Sequence, residues 1–341
     1  MKAAVYFQKN DVRVIDVPMP ECGANDVRIK IAYCGVCGTD LHIYHGDGGA
    51  APVPEGTIIG HEFSGVVDAI GCNVTAFKVG DRVSADPNDV CGECYFCKNG
   101  KAHFCTAMKG YGTTYPGGFA EYVVVPEKQV YTLPESLDFK AGSQCETLSC
   151  CVNGIDLANL RVGDNVLIIG AGPIGLMMLQ LARNCGAGQI IVSELVEEKR
   201  DLALQLGADI VVDPKKENLR EVLNKTFENV DCVIEAAGTP FTQAQAIECA
   251  GKTATVMLFG LVAPDTEISL KTFDVFAREL KITSSFINPY TFTRAIRMLA
   301  QKRVLMDDII TDIVPLKDIA NVFTDESYRK RGKILIQMGT D

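Results

Sequence analysis

Positive charge is scarce in this chain. Thirty-three Lys and Arg stand against 43 Asp and Glu, a net charge of −10, and the sequence pI is near 5.0. A duplex-binding surface is built from a Lys/Arg stripe. None occurs, which excludes nucleic acid and anionic membrane as partners. Long apolar runs are missing as well: nothing approaches the ~18 residues of a membrane span. The opening MKAAVYFQKNDVRVIDVP lacks the apolar core of about 7–15 residues that a secretory signal carries. The expected location is cytoplasmic, where thiol pools keep cysteines reduced. Only four histidines exist, beside fourteen cysteines, and reduced cysteines at regular spacing point to metal or catalysis. Internal repeats and low-complexity tracts are absent from the sequence.

What is present predicts two domains, since 341 residues is about twice a common domain of ~150. Apolar content of 47% and charged content of 22% are those of a globular protein with a real core. Up to about residue 140, short apolar stretches (Val27–Ala32, Phe63–Ile70, Arg82–Ala85, Ala120–Val125) are broken repeatedly by Gly and Pro. This predicts a β-rich, rolled antiparallel domain. From about Val152 strands and helices alternate. Strands are expected at Asn165–Gly170, Gln189–Ser193, Ile210–Val212, Asp231–Ala236 and Ala254–Phe259, and helices at Pro173–Cys185 and Glu197–Leu206. Such an order predicts βαβ units and an α/β, doubly wound parallel sheet. A helix over Phe292–Gln301 and a last strand over Gly332–Gln337 would return the chain to the first domain. The expected boundaries are 1–150, completed by 288–341, and 151–287.

VLIIGAGPIG places Gly170, Gly172 and Gly175 between an apolar strand and a helix. The first glycine permits the tight turn, the second lets backbone approach a pyrophosphate, and the third lets helix and strand pack closely. The helix start offers free N–H groups to phosphate. Glu194 ends the next strand, where a carboxylate accepts from both ribose hydroxyls and repels a 2′-phosphate. The combination predicts NAD rather than NADP. The alternative is a tight turn followed by an ordinary surface carboxylate. Lys199 and Arg200 are either ribose or phosphate contacts or part of a solvated helix face.

CGECYFCKNGKAHFC holds Cys91, Cys94, Cys97 and Cys105. Two-residue gaps let thiolates converge on one ion, and a closed Cys₄ shell leaves no position for substrate, so a zinc there is structural. Iron–sulfur ligation is the competing use of this spacing. A second set is more scattered. CGTDLH holds Cys37, Thr39, Asp40 and His42, GHE holds His61 and Glu62, and QCETLSC offers Glu146. A catalytic zinc takes about three protein ligands and keeps a position open. Cys37, His61 and Glu62 meet that need, with Glu146 as a fourth, and Asp40 suits the orienting of a metal-bound imidazole. The alternative is a core cysteine and a capping histidine. Cys145, Cys150 and Cys151 leave a thiol nucleophile open as well.

Together these motifs resemble the zinc-dependent medium-chain dehydrogenases of the alcohol, sorbitol (L-iditol) and threonine dehydrogenase kind. The resemblance rests on GVCGTDLH, GHEFSGVV with VGDRV, the four-cysteine stretch, GGFAEYVVVP and the glycine turn, and it spans essentially the whole length. It implies a GroES-like catalytic domain beside a Rossmann domain for NAD, and two zinc ions per subunit. It implies that Cys37, His61, Glu62 and Glu146 surround the catalytic zinc, with carboxylate or water completing the shell. By the same resemblance Thr39 and His42 form a hydroxyl–imidazole proton relay, Glu194 binds ribose, and Ile174 packs on the cofactor, with Pro173 and Lys199 as further candidate cofactor contacts. The implied reaction moves hydride from a secondary alcohol, in a polyol or diol, to nicotinamide. In the sorbitol branch polar side chains hold polyol hydroxyls at places that here are Ile43, Ile287 and Asn288. The threonine branch shares CGTDLHIY, but it carries a histidine where this chain has Asp86-Pro87-Asn88. Polyols, diols, amino alcohols, sugar-alcohol phosphates and larger apolar alcohols therefore stay open as substrates. Proteins of this kind are dimers or tetramers, so a homo-oligomer is expected. Two other readings are a zinc-free quinone reductase, which lacks the cysteine stretch and GHE, and an NAD- and zinc-binding protein without turnover. The joint presence of Cys37, Thr39, His42, His61 and Glu62 speaks against both.

Overall fold

In a computed structural model the protein is described over residues 1–46, 52–325, 327–328 and 331–339. It forms two compact units. The first is Met1–Thr147 with Phe292–Gln301 and Ile309–Asp341, and the second is Leu148–Thr291 with Lys302–Asp308. The division thus falls after 147 rather than 150, and the return comes at 292 rather than 288. Lys302–Asp308 stays with the second unit for a visible reason. The buried Gln180 side chain accepts from Leu305 N–H (2.7 Å) and donates to Leu305 C=O (3.1 Å), pairing with that segment as a strand would.

The first unit contains β1 (Lys2–Gln8), β2 (Asp11–Asp16), β3 (Asp26–Gly35), α1 (Gly38–His45), β4 (Thr57–Ile58), β5 (Glu62–Ile70) and β6 (Arg82–Ala85). It continues with β7 (Asn88–Asp89), α2 (Tyr95–Lys98), β8 (Lys109–Gly110), β9 (Tyr122–Pro126), β10 (Val130–Thr132) and α3 (Phe139–Gly142). Helix α4 (Cys145–Ala158) carries the chain across the division. The second unit holds β11 (Val166–Ile169), α5 (Pro173–Asn184), β12 (Ile190–Ser193), α6 (Glu197–Gln205), β13 (Ile210–Val212) and α7 (Leu219–Thr226). Then come β14 (Cys232–Glu235), α8 (Pro240–Cys249), β15 (Thr255–Leu258), α9 (Thr272–Arg278) and β16 (Lys281–Ser284). Helix α10 (Phe292–Ala300), β17 (Ile310–Pro315), α11 (Ile319–Thr324) and β18 (Lys333–Gln337) rejoin the first unit.

The main sheet of the first unit runs β10-β6-β5-β3-β18-β17, with β9 also on β3. Its pairs are antiparallel except β17 with β18, which α11 connects as a crossover. Alternation explains β3: Val27, Ile29 and Ile31 are buried while Lys30 is exposed, the period-two pattern of a half-buried strand. The core gathers Ile29, Ile43, Phe63, Phe119, Phe323 and Ile336. The second unit is a six-stranded parallel sheet in the order β13-β12-β11-β14-β15-β16. Every residue of β11, β12 and β14 is buried, as expected of strands covered on both faces. Strand β16 closes one edge with three of its four residues exposed, so its sequence carries no apolar run. Among the described residues no helix is long and apolar enough to cross a membrane.

Candidate active site and metal centres

Three strands and a helix start bring the scattered set together. Strand β3 ends at Gly35, which pairs with Glu62 at the head of β5 and with Leu335 of β18. Two residues on, Cys37 caps α1 in an extended conformation. The N3 residue of that helix, Asp40, turns back so that Oδ2 accepts from Cys37 N–H at 2.9 Å, half of a capping box. Its other oxygen faces His61 Nδ1 at 3.5 Å. One fully buried carboxylate therefore positions both the cysteine backbone and the imidazole. His61 follows Gly60, which has φ of +94° and no room for a side chain, because a Cβ would stand 2.6 Å from the Phe119 ring. The glycine-rich segment 112–118 wraps this turn, and Gly118 N–H donates to Gly60 C=O at 2.7 Å.

The ligand atoms of Cys37, His61 and Glu62 all lie within 4.8 Å of one another. Cys37 Sγ is also 3.8 Å from Thr39 Oγ1. Burial alone would lower the His61 pKa, but Asp40 and Cys37 outweigh it and raise it well above the usual 6.5. Burial would raise the Glu62 pKa, but Lys333, His61 and Thr147 keep it lowered. The pocket thus favours positive charge. Asp40 Oδ1 and His61 Nδ1 are buried facing each other, and Glu62 Oε2 is buried against Lys333 Nζ, so thiol, imidazole and carboxylate meet in a dry pocket where a bound cation would balance the acidic groups. Sulfur, imidazole and carboxylate are zinc's usual donors. Zinc fits.

Lys333, the first residue of β18, lies in this pocket although nothing local in the sequence marks it. Its Nζ is 2.7 Å from Glu62 Oε1 and 2.5 Å from Oε2, with both side chains buried. The buried Glu146 sits in the first turn of α4, near enough to help hold Lys333 charged, but it is outside the group gathered within 4.8 Å. Thr39 and His42, three residues apart on α1, share one helix face. Ile43, expected to meet substrate, is instead 2% exposed within the hydrophobic core.

The four cysteines also converge, with ligand atoms within 4.8 Å of one another. Cys105 Sγ is 3.5 Å and Cys97 Sγ 4.0 Å from Cys91 Sγ. Four sulfurs ~2.3 Å from one zinc stand about 3.8 Å apart in a tetrahedron. An iron–sulfur cluster spreads its cysteines over different irons, so this spacing fits a single ion. Backbone amides point at the thiols: Cys94 N–H donates to Cys91 Sγ and Cys91 N–H to Cys105 Sγ, each at 3.4 Å. Amides from Cys97 and Thr106 pull the Cys94 pKa down to about 6 while burial and the neighbouring thiols push Cys97 up to about 12, so the four sulfurs titrate as one group.

In the second unit, the glycine turn has the form its motif predicts. Gly170 has φ of +96°. A Cβ on Gly175 would stand 1.9 Å from Gly170 O, so helix α5 packs on the turn only with glycine there. Gly172 caps α5, Pro173 is its first residue, and a Cβ on Gly172 would meet nothing within 4 Å. That open space at a helix N-terminus suits a phosphate. Glu194 accepts from Ala171 N–H (2.7 Å) and from Val196 N–H (2.9 Å), holding it against the turn. Arg200 is structural: it donates to Glu194 C=O at 2.8 Å and pairs with Asp213 at 3.5 Å. Ile174 and Lys199 are half-buried on α5 and α6. Asn288 is buried, and Ile287 has φ of +46° with its carbonyl held by Asn153 Nδ2 at 3.0 Å.

Comparison with known proteins identifies the family. Residues 23–135 match the alcohol dehydrogenase GroES-like domain, and residues 173–301 match the zinc-binding dehydrogenase family. D-arabitol-phosphate dehydrogenase of Enterococcus avium is 35% identical over 95% of this chain and 93% of its own length. An L-threonine 3-dehydrogenase from an Anaeromyxobacter species is 33% identical over 100% of both chains. The chain belongs to the zinc-dependent medium-chain alcohol dehydrogenases. A zinc-binding dehydrogenase from Sinorhizobium meliloti, solved with NADP bound, superposes on this dehydrogenase with a TM-score of 0.95 at 35% identity, covering 98% of each chain. The protein is therefore an oxidoreductase of a family that uses zinc and a nicotinamide dinucleotide.

Two residues of this dehydrogenase escaped sequence reasoning. Lys333 reads as an ordinary strand residue, and only its three-dimensional neighbours reveal it. Glu235 ends β14 fully buried, where Oε1 accepts from Ala237 N–H (2.9 Å), Gly238 N–H (2.8 Å) and Thr242 Oγ1 (2.8 Å). The signal available for it was a carboxylate ending an otherwise apolar strand before AAGTP, the same pattern that marked Glu194.

Proposed function

We propose that this dehydrogenase oxidises a secondary hydroxyl of a polyol, diol or sugar-alcohol phosphate with NAD⁺ at the pocket of Cys37, His61 and Glu62. The single observation that carries this reading is that pocket: a thiol, an imidazole and a carboxylate whose ligand atoms are gathered within 4.8 Å. These three residues would hold the catalytic zinc, with Glu146 in reach of the same charges. Bound there, zinc supplies a Lewis acid for the alcohol oxygen. The four cysteines would hold a second, structural zinc.

The chain's own residues do the rest. Asp40 keeps the His61 ring aimed by facing Nδ1, leaving the other nitrogen for metal. Thr39 Oγ1, beside Cys37 Sγ, is placed to take the hydroxyl proton, and His42 one turn along passes it on. Gly170, Gly172 and the start of α5 take the pyrophosphate, with Pro173, Ile174 and Lys199 beside it. Glu194 takes the adenosine ribose. A dinucleotide held by that turn would supply the hydride acceptor. The carboxylate of Glu194 favours NAD over NADP, although the Sinorhizobium relative binds NADP. Ile287 and Asn288 stay candidates for the substrate side.

A homo-oligomer follows from a second feature. Strand β16 is an open sheet edge, and Phe273 and Phe276 on α9 are 78% and 77% exposed. Open edges of this sort are normally covered, and a second copy supplies an identical edge. Fourteen cysteines, four of them gathered as metal ligands, support a reducing, cytoplasmic location. The functional test is NADH formation by zinc-replete protein on polyols, diols, sugar-alcohol phosphates and L-threonine. Turnover of a sugar-alcohol phosphate or polyol supports the reading. Turnover of L-threonine alone moves the substrate to amino alcohols, and no turnover of any of them refutes it.

A further inference from the structure

A second carboxylate stands beside Glu194. Strands β12 and β13 run parallel with Ser193 opposite Val212, and Glu194 N–H donates to Val212 C=O at 3.1 Å. Glu194 and Asp213 therefore leave the sheet side by side, at the carboxyl ends of the strands where a dinucleotide binds. Arg200 joins them from α6. Its Nη1 donates to Glu194 C=O at 2.8 Å, and its Nη2 is 3.5 Å from Asp213 Oδ2. Lys216 brings a second cation to the same oxygen, with Nζ at 3.5 Å. The side chains of Arg200 and Asp213 are 9% and 11% exposed, whereas that of Lys216 is 72% exposed. Asp213 stays ionised at neutral pH. Its Oδ1 accepts from Lys215 N–H at 3.0 Å, and that amide, together with Arg200 and Lys216, lowers its pKa although burial opposes this.

We infer that Asp213 is a positioning residue for cofactor choice: it holds Arg200 and Lys216 away from the adenosine ribose, so that a 2′-phosphate meets the Glu194 carboxylate with no cation to offset it. This rests on the reading of the glycine turn and Glu194 as the dinucleotide site. Arginine is the side chain best suited to grip a phosphate, through its fork of N–H donors, and here the fork is occupied by a carbonyl and a carboxylate. The two acids thus exclude NADP in different ways. Glu194 repels the phosphate itself, and Asp213 withholds the attraction that would overcome this repulsion. A pair that only tied α6 to β13 would behave otherwise, since its loss would loosen the site and weaken NAD and NADP alike.

The experiment titrates the zinc-replete full chain with NAD and with NADP. Asp213→Asn keeps an oxygen for the Lys215 amide and removes the charge. It is expected to tighten NADP about tenfold, the scale of one hydrogen bond to a charged group, while NAD binding changes little. The same gain should appear in a Glu194→Gln background, and most of it should vanish when Arg200→Met is added. Freed of Asp213, the buried guanidinium lacks its partner, so Asp213→Asn should also melt lower than the parent. NADP should restore that loss more than NAD does at equal concentration. An unchanged preference, equal weakening of both dinucleotides, equal thermal recovery, or a gain that survives Arg200→Met would overturn the inference. Should Asp213→Asn not fold, Asp213→Ser, whose hydroxyl can still accept from the Lys215 amide, decides by the same ratio. Failure of the underlying reading shows elsewhere: a parent that prefers NADP, or a Glu194→Gln variant with the parent's preference, overturns the NAD site itself and this inference with it.

Discussion

Gly35 and Gly38 stand three residues apart in one segment, yet alanine should have opposite effects at the two positions. At Gly35 a Cβ would lie 2.0 Å from Glu62 Oε2, so the carboxylate would have to retreat to at least 3.0 Å, and Gln144 and Lys333 would have to yield with it. All three are buried. Overpacking of this kind costs about 1–3 kcal/mol. For a unit of this size ~1 kcal/mol moves Tm by roughly 2–4 °C, so Gly35→Ala should melt about 2–12 °C lower. The clash is with side-chain ends at the metal pocket, so zinc content should fall by the catalytic ion while the four-cysteine ion stays. At Gly38 a Cβ would meet nothing within 4 Å, and the residue already begins α1. Gly38→Ala should be neutral or stabilising by about 0.4–1 kcal/mol. Thermal unfolding with metal analysis on both variants is the assay. Equal melting temperatures and equal zinc contents would refute the placement of Glu62 and Lys333 beside Gly35.

Other outcomes follow from the same geometry. Gly175→Ala places a Cβ 1.9 Å from Gly170 O, a backbone atom, and should disrupt the turn, seen as a large loss of both stability and dinucleotide binding. Gly172→Ala meets no atom within 4 Å and should fold normally while binding NAD more weakly, checked by titration. Glu194→Gln removes the charge that repels a 2′-phosphate, and the NAD-to-NADP ratio of kcat/KM should drop roughly tenfold, about 1.4 kcal/mol; an unchanged ratio would remove Glu194 from cofactor choice. Cys94→Ser should lose the structural zinc and melt lower while the catalytic zinc is retained, which metal analysis separates.

Local patterns made much of the molecule legible before its structure. The glycine turn is contiguous and its stereochemistry leaves few alternatives, so Gly170, Gly172 and Gly175 could be placed one by one. The four cysteines are also contiguous, and their sulfur spacing decides between one ion and a cluster in a way residue spacing could not. Ile43 was misplaced because burial of a helix face depends on what packs against it, here the core that includes Phe323 from a distant helix. Arg200 stood between a ribose or phosphate contact and a solvated helix face, and it is buried on Glu194 C=O and Asp213 instead. Lys333 was invisible for a simpler reason. It reaches Glu62 across 271 residues, through a pairing of β18 with β3 that no local periodicity announces.

Zinc content and alcohol-dependent NADH formation, measured together on the parent chain and on Cys37→Ser, test the metal pocket most directly. Two zinc ions per chain and turnover are expected from the parent. One zinc, no turnover and retained NAD binding are expected from the variant. A Cys37→Ser protein that kept both ions and continued to oxidise the alcohol would contradict the assignment of Cys37, His61 and Glu62 as the catalytic centre.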